Sequence, residues 1–495
     1  MGEARSRGRR ISKLALRVQP MSAARFDLFT LGTRMAAARY MAHELSWWGS
    51  SEDRIIGLTA LDAMDADYLW CIMVRDELGR FRSVETGASF SSQERAEEAL
   101  LVRIAHLLDH EDLELLGHQG DNNNAPLDLL RLPLDFDVNA LHPYFKILLE
   151  EPSKAPARAV IDELGRWLVP LDPHLAKEFQ TKGFDQRLWE IYLWAAFREL
   201  SLDVTQLEAP DFLCAKPGIQ FAVEATTVAP STMGPLAEHP DPDTKEELIE
   251  FLEHYMPMKY GSSLMSKLDK KNAQGQHYWE YENVRGMPFL LAIADFHKPA
   301  ATDELASMTY TQSALWHYLY GRRVTGEIQD SRLLVNTVAL EDHQYGMKSV
   351  PTGFFDQPNA EHIAAVIFSN AGTIAKFDRM GVAAGFAPGD FQYLRIGTMS
   401  DPDPNAVVGQ RFLADVRSHD YSECWSEELQ VFHNPNAVCP LPFDALWGAV
   451  HHYFEDGLLM SSGPSESVLS SYTLVLNSAA ERDTIIKRFG EGSSG

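Results

Sequence analysis

The sequence predicts a mixed α/β fold built from several units, and three observations predict it. Leu188 to Leu200 is apolar almost all round, the pattern of an enclosed helix, and two strand-like runs follow it, PDFLCA and IQFAVEATTV, joined at Lys216-Pro217-Gly218. Further on, MPFLLAIADF is a continuous apolar run of the kind found in strands covered on both faces. Near the beginning, two strand-like runs lead into Asp76-Glu77-Leu78-Gly79 and then Arg80 to Val84, which reads as a hairpin.

The 495 residues suggest roughly three domains of about 150 residues each, and 45% hydrophobic with 23% charged residues is ordinary globular composition. No apolar run reaches the roughly 18 residues that span a bilayer. The first 20 residues lack the apolar centre of a secretory signal, so a cytoplasmic protein without membrane contact is expected. Cys71, Cys214, Cys424 and Cys439 have no zinc spacing and read as core thiols.

In chain order, residues 1–25 form a basic tail (Arg5, Arg7, Arg9, Arg10, Lys13, Arg17) expected to be flexible. Residues 26–116 read as a small α+β domain. In it, Ala36 to Trp48 is read as a helix, Ile55 to Leu61 and Tyr68 to Arg75 as strands, and a further helix starts after Ser91 with Glu94 completing a capping box. Trp47, Trp48 and Trp70 read as core before they read as a recognition surface. Gly117 to Asn124 (GHQGDNNN) marks the boundary to a core at 125–300, entered through a helical preface with a helix from Ala157 to Leu168.

Within that core, the two-residue period of IQFAVEATTV puts Phe221, Val223 and Ala225 on one face and Ala222, Glu224 and Thr226 on the other. Helices follow at Glu246 to Tyr255 and Ser262 to Gln274. In the second, Leu264 and Leu268 share one side while Lys267 and Lys271 share an adjacent one. Residues 301–489 form an α/β extension that completes the core, with a short helix at Ser313 to Gly321, a strand at Ile363 to Phe368 and a helix behind Gly372-Thr373. Ser369, Asn370, Lys376 and Arg379 near that helix start are a weak phosphate contact. His451-His452 is read as packing in an apolar helix, and residues 490–495 as a flexible tail.

A helix bearing Glu190, a strand headed by Pro210-Asp211 and a neighbouring strand with Glu224-Ala225-Thr226 resemble the PD-(D/E)XK, or restriction-endonuclease-like, superfamily. From about Phe179 onward, Gln180, Gly183 to Asp185, Trp189-Glu190 and Phe368 to Phe377 are also similar to a bacterial branch of large proteins that brings no activity with it. The resemblance implies a restriction-endonuclease-like core with element order α, β, β, α, α, β. It also implies a nuclease with Asp211, Glu224 and Glu190 around Mg²⁺ or Mn²⁺, which take oxygen ligands. The implied partner is nucleic acid, DNA ahead of RNA, in phage defence or DNA processing, with a homodimer or a partner protein compatible.

This chain departs from the pattern at Thr226, where the family has lysine. A hydroxyl donates a hydrogen bond but supplies no positive charge for the transition state, and Lys267 or Lys271 is the candidate replacement. Each residue also has an ordinary reading: Glu190 paired with Arg187 at i−3, Pro210-Asp211 as a turn, and the lysines as a solvated helix face. The net charge of −26 runs against a protein that coats nucleic acid. A catalytically inactive module of the same fold, binding nucleic acid or protein, is therefore the alternative.

Overall fold

The computed structural model describes residues 17–492 apart from 36, 122–125, 135, 170–173, 232–235, 237–241, 243, 298–309, 331, 346–347, 404 and 407–408. Arg5, Arg7, Arg9, Arg10 and Lys13 of the expected basic tail lie outside the described residues.

The first unit is a five-stranded antiparallel meander. It comprises β1 (Val18–Pro20), β2 (Ala42–Ser50), β3 (Ile55–Asp62), β4 (Tyr68–Arg75) and β5 (Phe81–Phe90), in that spatial order. Helix Gln93–His110 covers one face through Ala96, Leu100, Ile104 and Leu107, while Phe26 and Phe29 of helix Ala23–Thr30 cover the other. Three expectations need correction here. Residues 42–48 are strand, because Trp47 and Trp48 fit a pleated, half-buried sheet better than a helix. The helix cap is Ser92, one residue later than expected, with its hydroxyl accepting from Arg95 N. Ordered structure starts inside the expected tail, since Val18 pairs with Ser50.

The core is an eight-stranded sheet whose strands run, in spatial order, Leu458–Ser462, Val450–Glu455, Gln430–His433, Ile363–Phe368, Phe289–Asp295, Ile219–Val228, Phe212–Lys216 and Asp203–Gln206. Its first strands are β6 (Asp203–Gln206), β7 (Phe212–Lys216), β8 (Ile219–Val228) and β9 (Phe289–Asp295). β6, β7 and β8 form an antiparallel meander, and β9 returns parallel to β8 after a helical crossover. The Lys216-Pro217-Gly218 turn is a two-residue loop between Lys216 and Ile219, and Gly218 has φ +80°, a conformation that needs no Cβ. Two small hairpins follow, β10 (Arg322–Gln329) with β11 (Arg332–Ala339) and β12 (His343–Tyr345) with β13 (Lys348–Val350).

The remaining central strands are β14 (Ile363–Phe368), β17 (Gln430–His433), β18 (Val450–Glu455) and β19 (Leu458–Ser462), so the extension adds half of the sheet. β9 and β14 are buried along their whole length, as their unbroken apolar sequence implies. A separate three-stranded sheet holds β15 (Gln392–Met399) between β16 (Gln410–Asp415) and β20 (Val468–Leu476). His451 and His452 lie buried in β18, which corrects the helix expected there.

Helix Phe184–Glu199 covers one face of the central sheet, with Leu188, Trp189, Leu193 and Phe197 packed among Phe221, Val223 and Ala225 of β8. Trp189 Nε1 also donates to Ala292 O of β9 at 3.2 Å. The other face of β8 meets helix Met256–Leu268, where Leu264 and Leu268 pack with Ala222 and Val228. The expected division of β8 into two faces is therefore the observed one. This helix is the end of a continuous helical run that starts at Lys245–Glu250 and passes through a π turn at Phe251–Tyr255. It stops at Leu268, short of the expected Gln274.

Candidate active site

The helix–meander–helix arrangement brings residues far apart in sequence to one cleft of about 490 Å³. Its walls include Glu190, Asp211, Glu224 and Lys267, together with Gln186, Arg187, Glu208 and Lys270. Phe212 of β7 pairs with Val223 of β8, so Asp211 stands one residue beyond the ladder, across from Glu224. Its Oδ2 accepts the backbone N–H of Ala225 at 2.6 Å.

Glu224 is 4% exposed, and its Oε1 accepts from Lys267 Nζ at 2.5 Å and from the Tyr278 hydroxyl at 2.6 Å. Lys267 occupies the last turn of helix Met256–Leu268, whose Leu264 and Leu268 anchor it to the sheet. Glu190 is fixed from its own helix. Gln186, four residues earlier, donates to Oε1 at 2.9 Å, and Arg187, three residues earlier, donates to Oε2 at 2.8 Å.

The carboxylates act on one another. Burial raises the Asp211 carboxyl well above the usual carboxylate range, and repulsion from Glu190 and Glu224 raises it further, against the Ala225 N–H and Lys267. Burial also raises Glu190, with Arg187 and Gln186 opposing and Glu224 adding to the rise. The described lining holds four carboxylates, Glu190, Glu208, Asp211 and Glu224, against three cations, Arg187, Lys267 and Lys270. Asp211 Oδ1 and Glu224 Oε2 have no hydrogen-bond partner among the described residues.

Among the described residues, no three His, Cys, Asp or Glu side chains close into a ready-made metal cage. A small hard cation does not require one, because it keeps several waters and binds through one or two carboxylates plus substrate phosphate. The all-oxygen donor set and the excess negative charge fit such a cation.

Thr226 lies on the same face of β8 as Glu224, 8% exposed, and shares a 2.8 Å hydrogen bond with Ser263 Oγ. Lys271 does not join the site. The helix ends before it, leaving it exposed, and Lys270 lines the cleft instead. Sequence reasoning missed Gln186, although its i−4 spacing from Glu190 places both on one helix face. It also missed Tyr278, for which the sequence carries no comparable signal.

The expected phosphate contact is corrected. Ser369 and Lys376 are fully buried and Arg379 nearly so. Ser369 accepts from the Tyr192 hydroxyl, Lys376 bonds Glu423 at 2.7 Å, and Arg379 bonds Glu423 at 2.8 Å. Asn370 beside them is half-buried. These cations balance an internal carboxylate and cannot meet a phosphate from solvent.

Comparisons of the chain with protein-family models, with curated proteins and with solved structures give no match.

Proposed function

We propose that the chain is a metal-dependent phosphodiesterase hydrolysing nucleic acid, DNA ahead of RNA, on a restriction-endonuclease-like core. The observation that carries the reading is the contact between Lys267 and Glu224, which sets a cation beside the carboxylates despite the threonine at 226. The order of elements supports it as well: it keeps the expected sequence of helix, strands, helices and strand, and adds β6.

A divalent cation held by Asp211 Oδ1 and Glu224 Oε2 would supply charge for the phosphate and acidify a water molecule. The chain's own groups do the remainder. Ala225 N–H and Tyr278 orient the two carboxylates. Lys267 Nζ uses one N–H on Glu224 and has two more for a phosphate oxygen or the attacking water. Glu190, held by Gln186 and Arg187, sustains the field that favours a cation. In the reaction a water oxygen bonds to phosphorus and the bond from phosphorus to the sugar oxygen breaks. The water's proton leaves through a cleft carboxylate to solvent, and the departing oxygen takes one from solvent.

The test is cleavage of single- and double-stranded DNA and RNA with Mg²⁺ or Mn²⁺ by the native protein, Asp211→Ala and Glu224→Ala. Cleavage that needs metal and is lost in both variants supports the proposal. Native protein inert on all four substrates contradicts it. Thr226 and the charge of −26 favour the second reading, an inactive module, which predicts that inert protein still binds nucleic acid.

A further inference from the structure

Sharing Lys267 with the carboxylate cleft is a second cavity of about 370 Å³ with opposite chemistry. It is bordered by Lys259, Lys267 and Lys348 and by hydroxyl-bearing side chains, and none of the described residues lining it is acidic. Lys259 Nζ donates to Ser231 Oγ at 2.8 Å, and Lys348 Nζ donates to Ser262 Oγ at 2.8 Å. The lysines are thus held by neutral oxygens, which orient an ammonium without neutralising it. Thr226 and Ser263 form the wall next to the cleft.

Half of the cavity's hydroxyls come from one helix and the rest from Thr226, Thr227 and Ser231. Ser262, Ser263 and Ser266 sit on helix Met256–Leu268, so the face that carries Lys259 and Lys267 also carries donors. Burial lowers the Lys259 ammonium from the ordinary lysine range and Lys348 pushes the same way, with Asp295 opposing. An anion in the cavity would relieve that repulsion. Asp295 itself is buried and accepts from His297, and it does not line the cavity. The volume lies near the lower end of small-ligand sites, about 300–1,000 Å³, which leaves room for a sugar-phosphate unit.

We infer that this cavity is a phosphate-binding subsite, holding a backbone phosphate of the same strand whose neighbouring phosphate lies in the carboxylate cleft, with Lys267 between the two. The inference rests on the proposed phosphodiesterase reading and adds to it the substrate class, a continuous polynucleotide strand. It also gives the threonine that stands in the lysine position a role beyond catalysis. Thr226 borders the cavity, and Lys267, which lines both cleft and cavity, serves both.

The test is binding of a fluorescent 20-nucleotide strand in Ca²⁺ across a salt series, for native protein, Lys259→Gln, Lys348→Gln and the double variant. Lys348 is exposed, so its replacement tests the cavity even if Lys259→Gln perturbs folding, which thermal unfolding monitors. The double variant is expected to bind about 10-fold or more weakly, with a salt slope smaller by about 0.7–0.9, the loss of one neutralised phosphate. Inorganic phosphate, added as competitor, separates a strand phosphate from a free one. Unchanged affinity and slope overturn the inference, as does Lys-dependent binding of inorganic phosphate by a protein that binds no strand. Lys-dependent strand binding without cleavage keeps the subsite and contradicts the phosphodiesterase. Metal-dependent cleavage with unchanged KM in the double variant does the reverse.

Discussion

Lys267 Nζ lies 2.5 Å from Glu224 Oε1, although 43 positions separate the two residues. The helix after the strand has brought its ammonium to the carboxylate that the strand supplies. Thr226, two residues from Glu224, then needs to give only a hydroxyl. Lys267→Met is expected to lower cleavage by about 10²–10³, the usual loss for removing one group that stabilises developing charge. Lys267→Arg should retain part of the rate, and Thr226→Ala should lose less than Lys267→Met. Single-turnover rates, with folding followed by circular dichroism, check the ranking.

Asp211 is expected to destabilise the metal-free protein. Burial and the charges of Glu190 and Glu224 raise its carboxyl in the folded state, so the folded protein holds a proton that the unfolded chain releases. The stability lent by the protonated carboxyl is present below the unfolded pKa of about 3.9 and is lost as pH rises through the raised folded value, which leaves a destabilising buried charge at higher pH. Asp211→Asn should therefore stabilise the metal-free protein at pH 7 by on the order of 1 kcal/mol. It should also remove the rise in melting temperature that Mn²⁺ gives the native protein. Thermal unfolding in EDTA and in Mn²⁺ between pH 5 and 8 measures both.

The buried histidines predict acid sensitivity. Burial lowers His317 and His433 to about 4, the latter helped by His451, and lowers His452 to about 3. These groups are neutral in the fold and take protons when unfolded, so their stability is present above about pH 6.5 and lost as pH falls towards 4 and below. His433 and His451 share a 2.8 Å hydrogen bond, and His452 bonds Gln430 and Ser461. Melting temperature should fall steadily below pH 6, and less so in His433→Asn.

The Glu423 network is structural. Burial works against the charge of Glu423, yet Arg379, Lys376 and Arg395 hold its carboxyl well below the usual range. Removing Lys376 takes one of three cations from Glu423 and the donor from Cys424 O, so Lys376→Met should cost about 1–3 kcal/mol. Folded Lys376→Met protein should bind oligonucleotide as tightly as native protein. Denaturant unfolding and fluorescence anisotropy check the two halves of this prediction.

What the sequence disclosed follows from local pattern. The Phe184–Glu199 helix is apolar on nearly every side, and β8, β9 and β14 are runs whose burial needs no knowledge of their partners. Strand alternation fixes the face of Glu224 and helix spacing that of Lys267, whereas Asp211 is singled out only by the resemblance of Pro210-Asp211. β6 escaped notice as a four-residue polar strand at the sheet edge. Lys271 was placed on a helix that stops at Leu268, an error at an end, where periodicity is weakest. Lys376 and Arg379 looked free because their partner, Glu423, is 47 and 44 residues away and no local spacing reveals it. The cavity that shares Lys267 with the cleft depends on Lys348, brought in by a distant hairpin.

The most direct measurement is the single-turnover rate of Mg²⁺-dependent strand cleavage by native protein, Asp211→Asn, Glu224→Gln and Lys267→Met, prepared identically. The account predicts that the native protein cleaves, that EDTA stops it, and that each variant is slower by about 10² or more while remaining folded. Equal cleavage by all four proteins would contradict it, as would a native protein that cleaves no strand at any metal concentration.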